Sequence, residues 1–389
     1  MYRLVFLSLL LMTSSLCLSA PPIYLGLDAD LSAVAKEGGI AIKRGALIAI
    51  EEINANGGVL GRPLSLIVKD HRGNPARGIA NIKAFSQQEG LVAVLGGVHT
   101  PVAMKELPVI HENQMIYLDP WAAGTPIIDN GFEPNFAFRV SVRDAEAGKV
   151  LIRHAKNRGL TRIGLLLERT GWGRSNEASM TAAAQSMGVE IAGVEWFNWG
   201  QKDFSKQIST LVDLGADSIA LVANAPEGAA IGKQILLNPS TAKLPIISHW
   251  GIAGGAFVEM LELENLKKLD ISVLQTYSFS DPYDKAINKK VMDSYQRMFD
   301  PNVSASNIPA AVGVAHAYDL VHLLAKAIEK AKSVDRPVVR DTLETISEYK
   351  GLVKHYSAPF SKDRHDALLA NDYIIARFDE LGRIIPVKE

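Results

Sequence analysis

The chain has 389 residues, of which 48% are hydrophobic and 21% are charged, and its formal net charge is −1. This length is enough for two or more domains with cores of their own. The near-zero charge and the scattered basic residues exclude a global field that would attract nucleic acid or an anionic membrane. The only cysteine is Cys17. If the chain is cleaved after that residue, the mature protein contains no cysteine, and therefore no disulfide and no thiolate metal site.

The N-terminus has the pattern of a secretory signal peptide over residues 1–20. Arg3 precedes the apolar run LVFLSLLLM, and small residues follow it. Cleavage after Ser19 is favoured, because cleavage after Ala20 would place Pro21 at the cut. The apolar run is too short to span a bilayer comfortably, and no later run reaches that length, so stable membrane insertion is not expected. These features predict a soluble protein exported to a bacterial periplasm.

Strands and helices alternate in the first part of the chain, which predicts a parallel sheet with helices on both faces. Short apolar runs predict strands at 23–27, 64–69, 91–95 and 115–118. Helical spacing of apolar residues predicts helices at 39–56, 75–88 and 102–113. Ligands of such sheets bind beyond the carboxyl ends of the strands. The loops expected at that edge are 28–36, 98–101 and 119–125.

The strand at 91–95 leads into the most informative of these loops. Gly96 and Gly97 permit a sharp turn, and a helix is then expected to begin with Thr100 as its N-cap and Pro101 in its first turn. A helix N-terminus presents unpaired N–H groups and partial positive charge, so it can hold a carboxylate. An ordinary strand-to-helix connection with a good cap is the alternative interpretation.

A second series of alternating elements begins after an extended segment at 136–142. Strands are predicted at 162–167, 189–196, 218–222 and 245–248, and helices at 145–158, 176–187, 204–214 and 228–237. Another extended segment at 269–277 precedes helices at 281–299, 310–332 and 337–346 and a strand at 373–378. The fold class predicted from these patterns is α/β, with two doubly wound parallel sheets.

The order of these motifs resembles the periplasmic type I solute-binding proteins, and most closely the leucine/isoleucine/valine-binding group of ABC transporters. The resemblance is carried by GALIAIEEINANGGVLGRPLSLIVKD at 45–70, LVAVLGG at 91–97, YLDPWAAGT at 117–125 and FAFRVSVRDAEAG at 136–148. It implies two lobes joined by three crossing strands, with lobe 1 at 23–139 plus 278–345 and lobe 2 at 140–277 plus 346–389. It also implies a solute held in the interlobe cleft by hinge closure, a membrane permease as partner, and no cofactor.

The resemblance also assigns residues to the cleft. In relatives, a hydroxyl and backbone N–H groups at the turn matching His99 and Thr100 hold the solute carboxylate. Trp172 replaces an aromatic cover, and Asn224 stands where relatives often have a tyrosine. The expected ligand-binding residues are His99, Thr100, Trp121, Ala122, Ala123, Trp172, Asn224, His249, Trp250 and Tyr277.

One departure from the family pattern concerns the solute ammonium. Amino-acid binders usually place an acidic side chain near the position of Trp250, because a buried ammonium needs such a partner. Asp119 and Glu227 are the possible substitutes in this chain. Trp121, Trp172 and Trp250 instead gather flat apolar surface on the cleft loops. This favours a carboxylate without an ammonium, such as an aromatic acid, and leaves an amino acid as the other possibility.

Catalysis is not expected, because the chain has no G-x-S-x-G elbow, no H-E-x-x-H motif and no phosphate-binding G-x-x-x-x-G-K-[ST] loop. A secreted α/β hydrolase is the enzyme alternative. His71 and His99 are not expected to bind a metal, since no second ligand accompanies them at a suitable spacing. A second alternative is a periplasmic sensor that presents an amide or a small acid to a signalling partner.

Overall fold

Two mostly parallel β-sheets organise residues 21–387, the part of the chain that this computed structural model describes. The predicted signal peptide, residues 1–20, lies outside the described residues. The sheet of lobe 1 contains β1 (Ile23–Ala29), β2 (Leu64–Asp70), β3 (Leu91–Leu95), β4 (Ile116–Asp119) and β5 (Ala137–Arg139). The strand order is β2-β1-β3-β4-β5, with every pair parallel.

The sheet of lobe 2 is larger and has two antiparallel strands at one edge. Its parallel strands are β6 (Arg162–Glu168), β7 (Glu190–Phe197), β8 (Ser218–Val222), β9 (Ile246–Ser248) and β10 (Ile271–Gln275). A separate hairpin consists of β11 (Glu348–Lys350) and β12 (His355–Ser357). The antiparallel edge strands are β13 (Ile374–Phe378) and β14 (Ile384–Pro386), and the order is β14-β13-β10-β9-β8-β6-β7.

Helices cover both sheets. The first group consists of α1 (Lys36–Ala55), α2 (Pro75–Ser86) and α3 (Thr100–Glu112). The second consists of α4 (Asp144–Asn157), α5 (Gly171–Met187), α6 (Ser205–Asp213), α7 (Ala225–Leu237), α8 (Phe257–Leu261) and α9 (Leu263–Leu266). The third consists of α10 (Lys285–Met298), α11 (Ala311–Ala331) and α12 (Arg336–Leu343). Short 3-10 helices lie at Thr125–Ile127, Trp250–Gly254 and Ala370–Asp372.

The core helix of lobe 1 is α11. It is long and apolar enough to cross a membrane, but 83% of its most apolar window is buried inside the protein, as in the core helix of a soluble domain. It packs against α1, where a side chain on Gly45 would clash with the backbone of Val314. Close helix packing of this kind requires the small residue.

The chain passes between the two sheets three times, within residues 140–143, 276–284 and 358–373. The predicted architecture of two α/β lobes joined by three crossings is therefore confirmed. The predicted lobe 2 included residues 346–389, but the β11–β12 hairpin within that range contacts α11 of lobe 1. There Asp319 accepts hydrogen bonds from the backbone N–H groups of Leu352 and Val353, at 2.6 and 2.9 Å.

Two local predictions at the ends of lobe 1 strands are wrong. The sequence predicts Thr100 as the N-cap of α3, with the helix beginning at Pro101. In the structure the N-cap is His99, and the helix begins one position earlier, at Thr100. The Thr100 hydroxyl is occupied elsewhere, as described below. The sequence predicts a loop at Asp28, but this residue is a buried part of β1, where its carboxylate accepts a hydrogen bond from the side-chain amide of Asn81 at 2.8 Å.

That buried carboxyl predicts a pH-dependent stability. Burial raises the pKa of Asp28 to about 7, and burial beside Asp28 also raises the pKa of Glu106. The folded state holds more protons than the unfolded state between about pH 4 and 7, so the free energy of unfolding falls as pH rises through that window. We expect the Glu106→Gln variant to melt roughly 2–4 °C above the wild type at pH 8. Calorimetry at pH 5 and pH 8 checks this.

Asp319, whose pKa is also raised to about 7 by burial, adds the same slope to both proteins. Asp119 is a buried neighbour whose charge acts on Glu106. The difference between variant and wild type therefore reports on the cluster of Asp28, Glu106 and Asp119. If the melting temperature of the Glu106→Gln variant exceeds that of the wild type by the same amount at pH 5 and at pH 8, the raised pKa values of this cluster are contradicted.

Candidate functional site

Loops from both lobes meet at one small cavity. From lobe 1 come the turn after β3 and the loop after β4, and from lobe 2 come the loops after β6, β8 and β9. The cavity has a volume of about 10 Å³, room for about one water molecule. Its walls are formed by Val98, His99, Thr100, Pro101, Trp121, Ala123, Glu168, Trp172, Asn224, Trp250 and Gly251. This is the strand edge at which parallel sheets bind ligands.

Seven of the ten residues expected to bind the ligand lie in this cavity wall. They are His99, Thr100, Trp121, Ala123, Trp172, Asn224 and Trp250. Ala122 and His249 stand directly behind the wall, and Tyr277 lies elsewhere. The structure thus brings together residues separated by more than 150 positions, and their role in binding remains a prediction.

Thr100 joins the two lobe 1 loops of the site. Its hydroxyl accepts a hydrogen bond from the backbone N–H of Gly124 at 3.1 Å. This leaves the hydroxyl proton free to donate to another group. Since Thr100 also begins α3, its side chain stands at a helix N-terminus, which carries partial positive charge.

Hydrogen bonds from buried side chains of lobe 1 fix the loop after β4. Asp119 accepts hydrogen bonds from the backbone N–H groups of Trp121 and Ala122, at 3.0 and 2.8 Å. The buried guanidinium of Arg139 donates to the carbonyl of Ala122 at 3.1 Å and to that of Gly124 at 2.9 Å. These bonds occupy Ala122 and Asp119 inside lobe 1, so neither group lines the cavity.

Tryptophan rings close the cavity across the lobes. Trp121 of lobe 1 and Trp250 of lobe 2 lie with their ring centroids 5.2 Å apart and their planes at 34°. Trp172 lies in the first turn of α5, and Thr170 is the N-cap of that helix. Its indole N–H donates to Asp144 at 3.3 Å, and its ring stands edge-on to His249. Contacts of this kind bury large apolar area and add a specific ring geometry.

His249 supports the wall instead of forming it. Its Nδ1 accepts the backbone N–H of Trp250 at 2.9 Å, and its Nε2 lies 3.1 Å from Asp144. Tyr277 is remote from this site. It donates to Asn288 at 2.5 Å and lines a separate cavity of about 360 Å³ near residues 305–311 and 374–386.

Sequence reasoning missed Glu168, the last residue of β6, which is fully buried in the cavity wall. Its carboxylate accepts hydrogen bonds from the hydroxyl of Thr170 at 2.6 Å, the indole of Trp199 at 2.7 Å and the amide of Asn224 at 3.0 Å. Burial raises its pKa to about 7, although the bonds from Thr170 and Trp199 oppose the increase. Its position at the carboxyl end of a strand was the signal that could have found it.

A second polar group lies beside the cavity on the lobe 1 side. His99 Nε2 is 2.9 Å from Asp30, and both side chains are buried. Burial alone would raise the pKa of Asp30, but the His99 ring and the Ala35 N–H lower it to about 2. The ring of Trp199 from lobe 2 lies 5.3 Å from the His99 ring. The two lobes therefore touch through Trp199, which also contacts Glu168.

Comparisons with known proteins place these features in context. A family model described as periplasmic binding protein matches residues 22–383. The Leu/Ile/Val-binding protein homolog 3 of Brucella melitensis is 25% identical over 320 residues, which cover 80% of each chain.

Solved structures share the fold. The periplasmic binding protein type 1 from Bordetella pertussis Tohama I superposes with a TM-score of 0.84 at 21% identity, covering 94% of this chain and 100% of that one. A solute-binding protein of an ABC transporter from R. palustris, in complex with 4-hydroxybenzoate, has a TM-score of 0.78 at 17% identity. It covers 95% of this chain and 96% of its own.

Proposed function

The chain belongs to the periplasmic binding protein family, type I, and from that premise we propose that it is the solute-binding component of an ABC importer. It is a binding protein and not an enzyme. The solute is a small carboxylate, either an aromatic acid or an amino acid, held in the cleft between the lobes. Closure of the hinge around the solute commits it for delivery to a membrane permease.

The observation that carries this proposal is the composition of the cavity wall. Thr100 and the N-terminus of α3 supply a hydroxyl donor and partial positive charge, which suit a carboxylate. Trp172 and Trp250 come from lobe 2 and offer flat apolar surface to the body of the solute. A solute that contacts both lobes stabilises the closed arrangement by its differential affinity for it.

The two candidate solute classes follow those of relatives. The Brucella melitensis relative is named for leucine, isoleucine and valine, and the R. palustris structure contains 4-hydroxybenzoate. A thermal-shift screen of the refolded, ligand-stripped protein tests both classes, together with short amides and dicarboxylates. A solute that binds only the folded state raises the melting temperature with its saturation. The absence of a shift with every carboxylate would overturn the proposal.

The Thr100→Val variant tests the carboxylate site. The substitution keeps the shape of the side chain but removes the hydroxyl, so the dissociation constant of the best carboxylate should rise by about 10-fold. Isothermal titration calorimetry measures this. Thr210→Val is the control, because that hydroxyl bonds the Lys206 carbonyl on α6, outside the cavity wall. Equal affinity of the Thr100→Val variant and the wild type would remove Thr100 from the site.

Export is part of the same proposal. The family acts outside the cytoplasm, and residues 1–20 carry the signal pattern that would direct the chain to the periplasm. Mass spectrometry of the protein recovered from a periplasmic fraction should give a chain that begins at Ala20 or Pro21. A full-length chain that starts at Met1 would contradict cleavage.

A further inference from the structure

The charges around the cavity are predominantly negative. Among the described residues of the wall, Glu168 is the one carboxylate, and none is a lysine or an arginine. Behind the wall, Asp144 and Glu227 each have a buried carboxylate oxygen without a hydrogen-bond partner. Asp144 binds Trp172 and lies beside His249, and Glu227 accepts the backbone N–H of Gly200 at 2.8 Å. Lobe 2 therefore presents one carboxylate, Glu168, to the cavity, and two further acids are buried behind it.

The hydrogen bonds of Glu168 leave room for one more donor. An ionised carboxylate has about four acceptor positions, and Thr170, Trp199 and Asn224 fill three of them. All three groups donate to the carboxylate, which is the pattern that orients an ionised acid. Buried charge without a counter-charge is costly, so the site favours a cationic group from the solute.

We propose that Glu168 pairs with a protonated nitrogen of the solute, and that the solute is therefore an amino acid or a similar small zwitterion. This inference rests on the proposed carboxylate-binding function and selects between its two solute classes. Thr100 on lobe 1 and Glu168 on lobe 2 hold opposite ends of such a molecule. A zwitterion thus links the lobes through both of its charges, which a simple aromatic acid does not do.

The acid occupies a different strand end from the one that the family pattern suggests. The position after β9 carries Trp250, whereas Glu168 ends β6, two strands away in the sheet order. Trp199 donates to Glu168 and touches His99, so the ring that orients the acid also contacts lobe 1. Closure of the lobes therefore brings the proposed ammonium partner and the carboxylate site into one cavity.

The test uses solute pairs that differ only in the α-ammonium group: phenylalanine against 3-phenylpropanoate, and leucine against 4-methylpentanoate. With the ligand-stripped wild-type protein, the amino member of a pair should bind about 10- to 100-fold more tightly than its partner. Glu168→Gln should weaken the amino member by a similar factor without weakening the desamino member. The control is Glu190→Gln, an acid of lobe 2 that pairs with Arg162 on the surface and lies outside the wall. This variant should change each affinity by less than about 3-fold.

Binding of the desamino acids or 4-hydroxybenzoate with equal or higher affinity than the amino acids would overturn the role of Glu168, while the carboxylate-binding function would stand. Unchanged affinity of Glu168→Gln for an amino acid would also overturn it. Failure of every carboxylate to bind would overturn the proposed function together with this inference. The wild-type comparison within each pair decides the question even if the Glu168→Gln variant does not fold.

Discussion

Replacing Arg139 by methionine should lower the free energy of unfolding by about 3–5 kcal/mol, the usual cost of leaving a buried charge without its partner. The Arg139 guanidinium is fully buried, and its Nε lies 2.5 Å from Asp366. The same guanidinium bonds the carbonyls of Ala122 and Gly124. One side chain at the end of β5 thus ties the start of the first crossing to the third crossing and supports the loop of Trp121.

Urea denaturation of the stripped protein measures this change. The control is Arg158→Met, since Arg158 pairs with Asp270 on the surface, where ion pairs contribute about 0–1 kcal/mol. Because the pair also supports the loop after β4, the Arg139→Met variant should lose solute affinity as well as stability. A loss of stability no greater than that of Arg158→Met would show that Asp366 finds compensation elsewhere, with Arg143 as the nearest cation at 3.6 Å.

The second large effect is expected from Trp250→Ala. This indole is 1% exposed, so removing it should cost about 3–5 kcal/mol of unfolding free energy through lost burial and the remaining cavity. Because the ring packs against Trp121 across the lobes, the closed arrangement loses more than either lobe alone. Solute affinity should therefore fall by about 10-fold or more, in the manner of an aromatic residue at the centre of an interface.

The matched control is Phe204→Ala. Phe204 is fully buried in lobe 2, where it packs on Phe197 away from the cavity. It should lose comparable stability and retain solute affinity, which separates a folding defect from a binding defect. Denaturation and calorimetric titration of the three proteins give both quantities. If Trp250→Ala binds the solute as tightly as Phe204→Ala does, the Trp121–Trp250 contact has no part in binding.

Much of the site followed from local sequence. The buried run of β3, the glycine turn and the start of α3 placed Thr100 correctly at a strand edge, even though the cap is His99. The loop that carries Trp121 was identified in the same way, whereas Trp172 was assigned from the resemblance to the family. Strand ends can be recognised from a few neighbouring residues, because a buried parallel strand is a short apolar run with a polar or glycine-rich end.

Other features depended on residues that are distant in the chain. Glu168 was missed because its partners Trp199 and Asn224 lie 31 and 56 positions away. Tyr277 is predicted at the cleft because it lies at a crossing, but its hydroxyl donates to Asn288 and its side chain lines another cavity. Periodicity specifies which face of an element is buried, but not which other element covers that face.

The sequence by itself therefore determined the two α/β lobes and the strand ends that carry the candidate site. Its motifs also indicated the family to which the chain belongs. Only the tertiary structure decided that Glu168 faces the Thr100 loop and that the hairpin at 348–357 lies with lobe 1. It also joined Arg139 to Asp366 across 227 positions. The physical reason is that secondary structure follows from short-range patterns, whereas the charge balance of a buried site depends on side chains that meet only after the chain has folded.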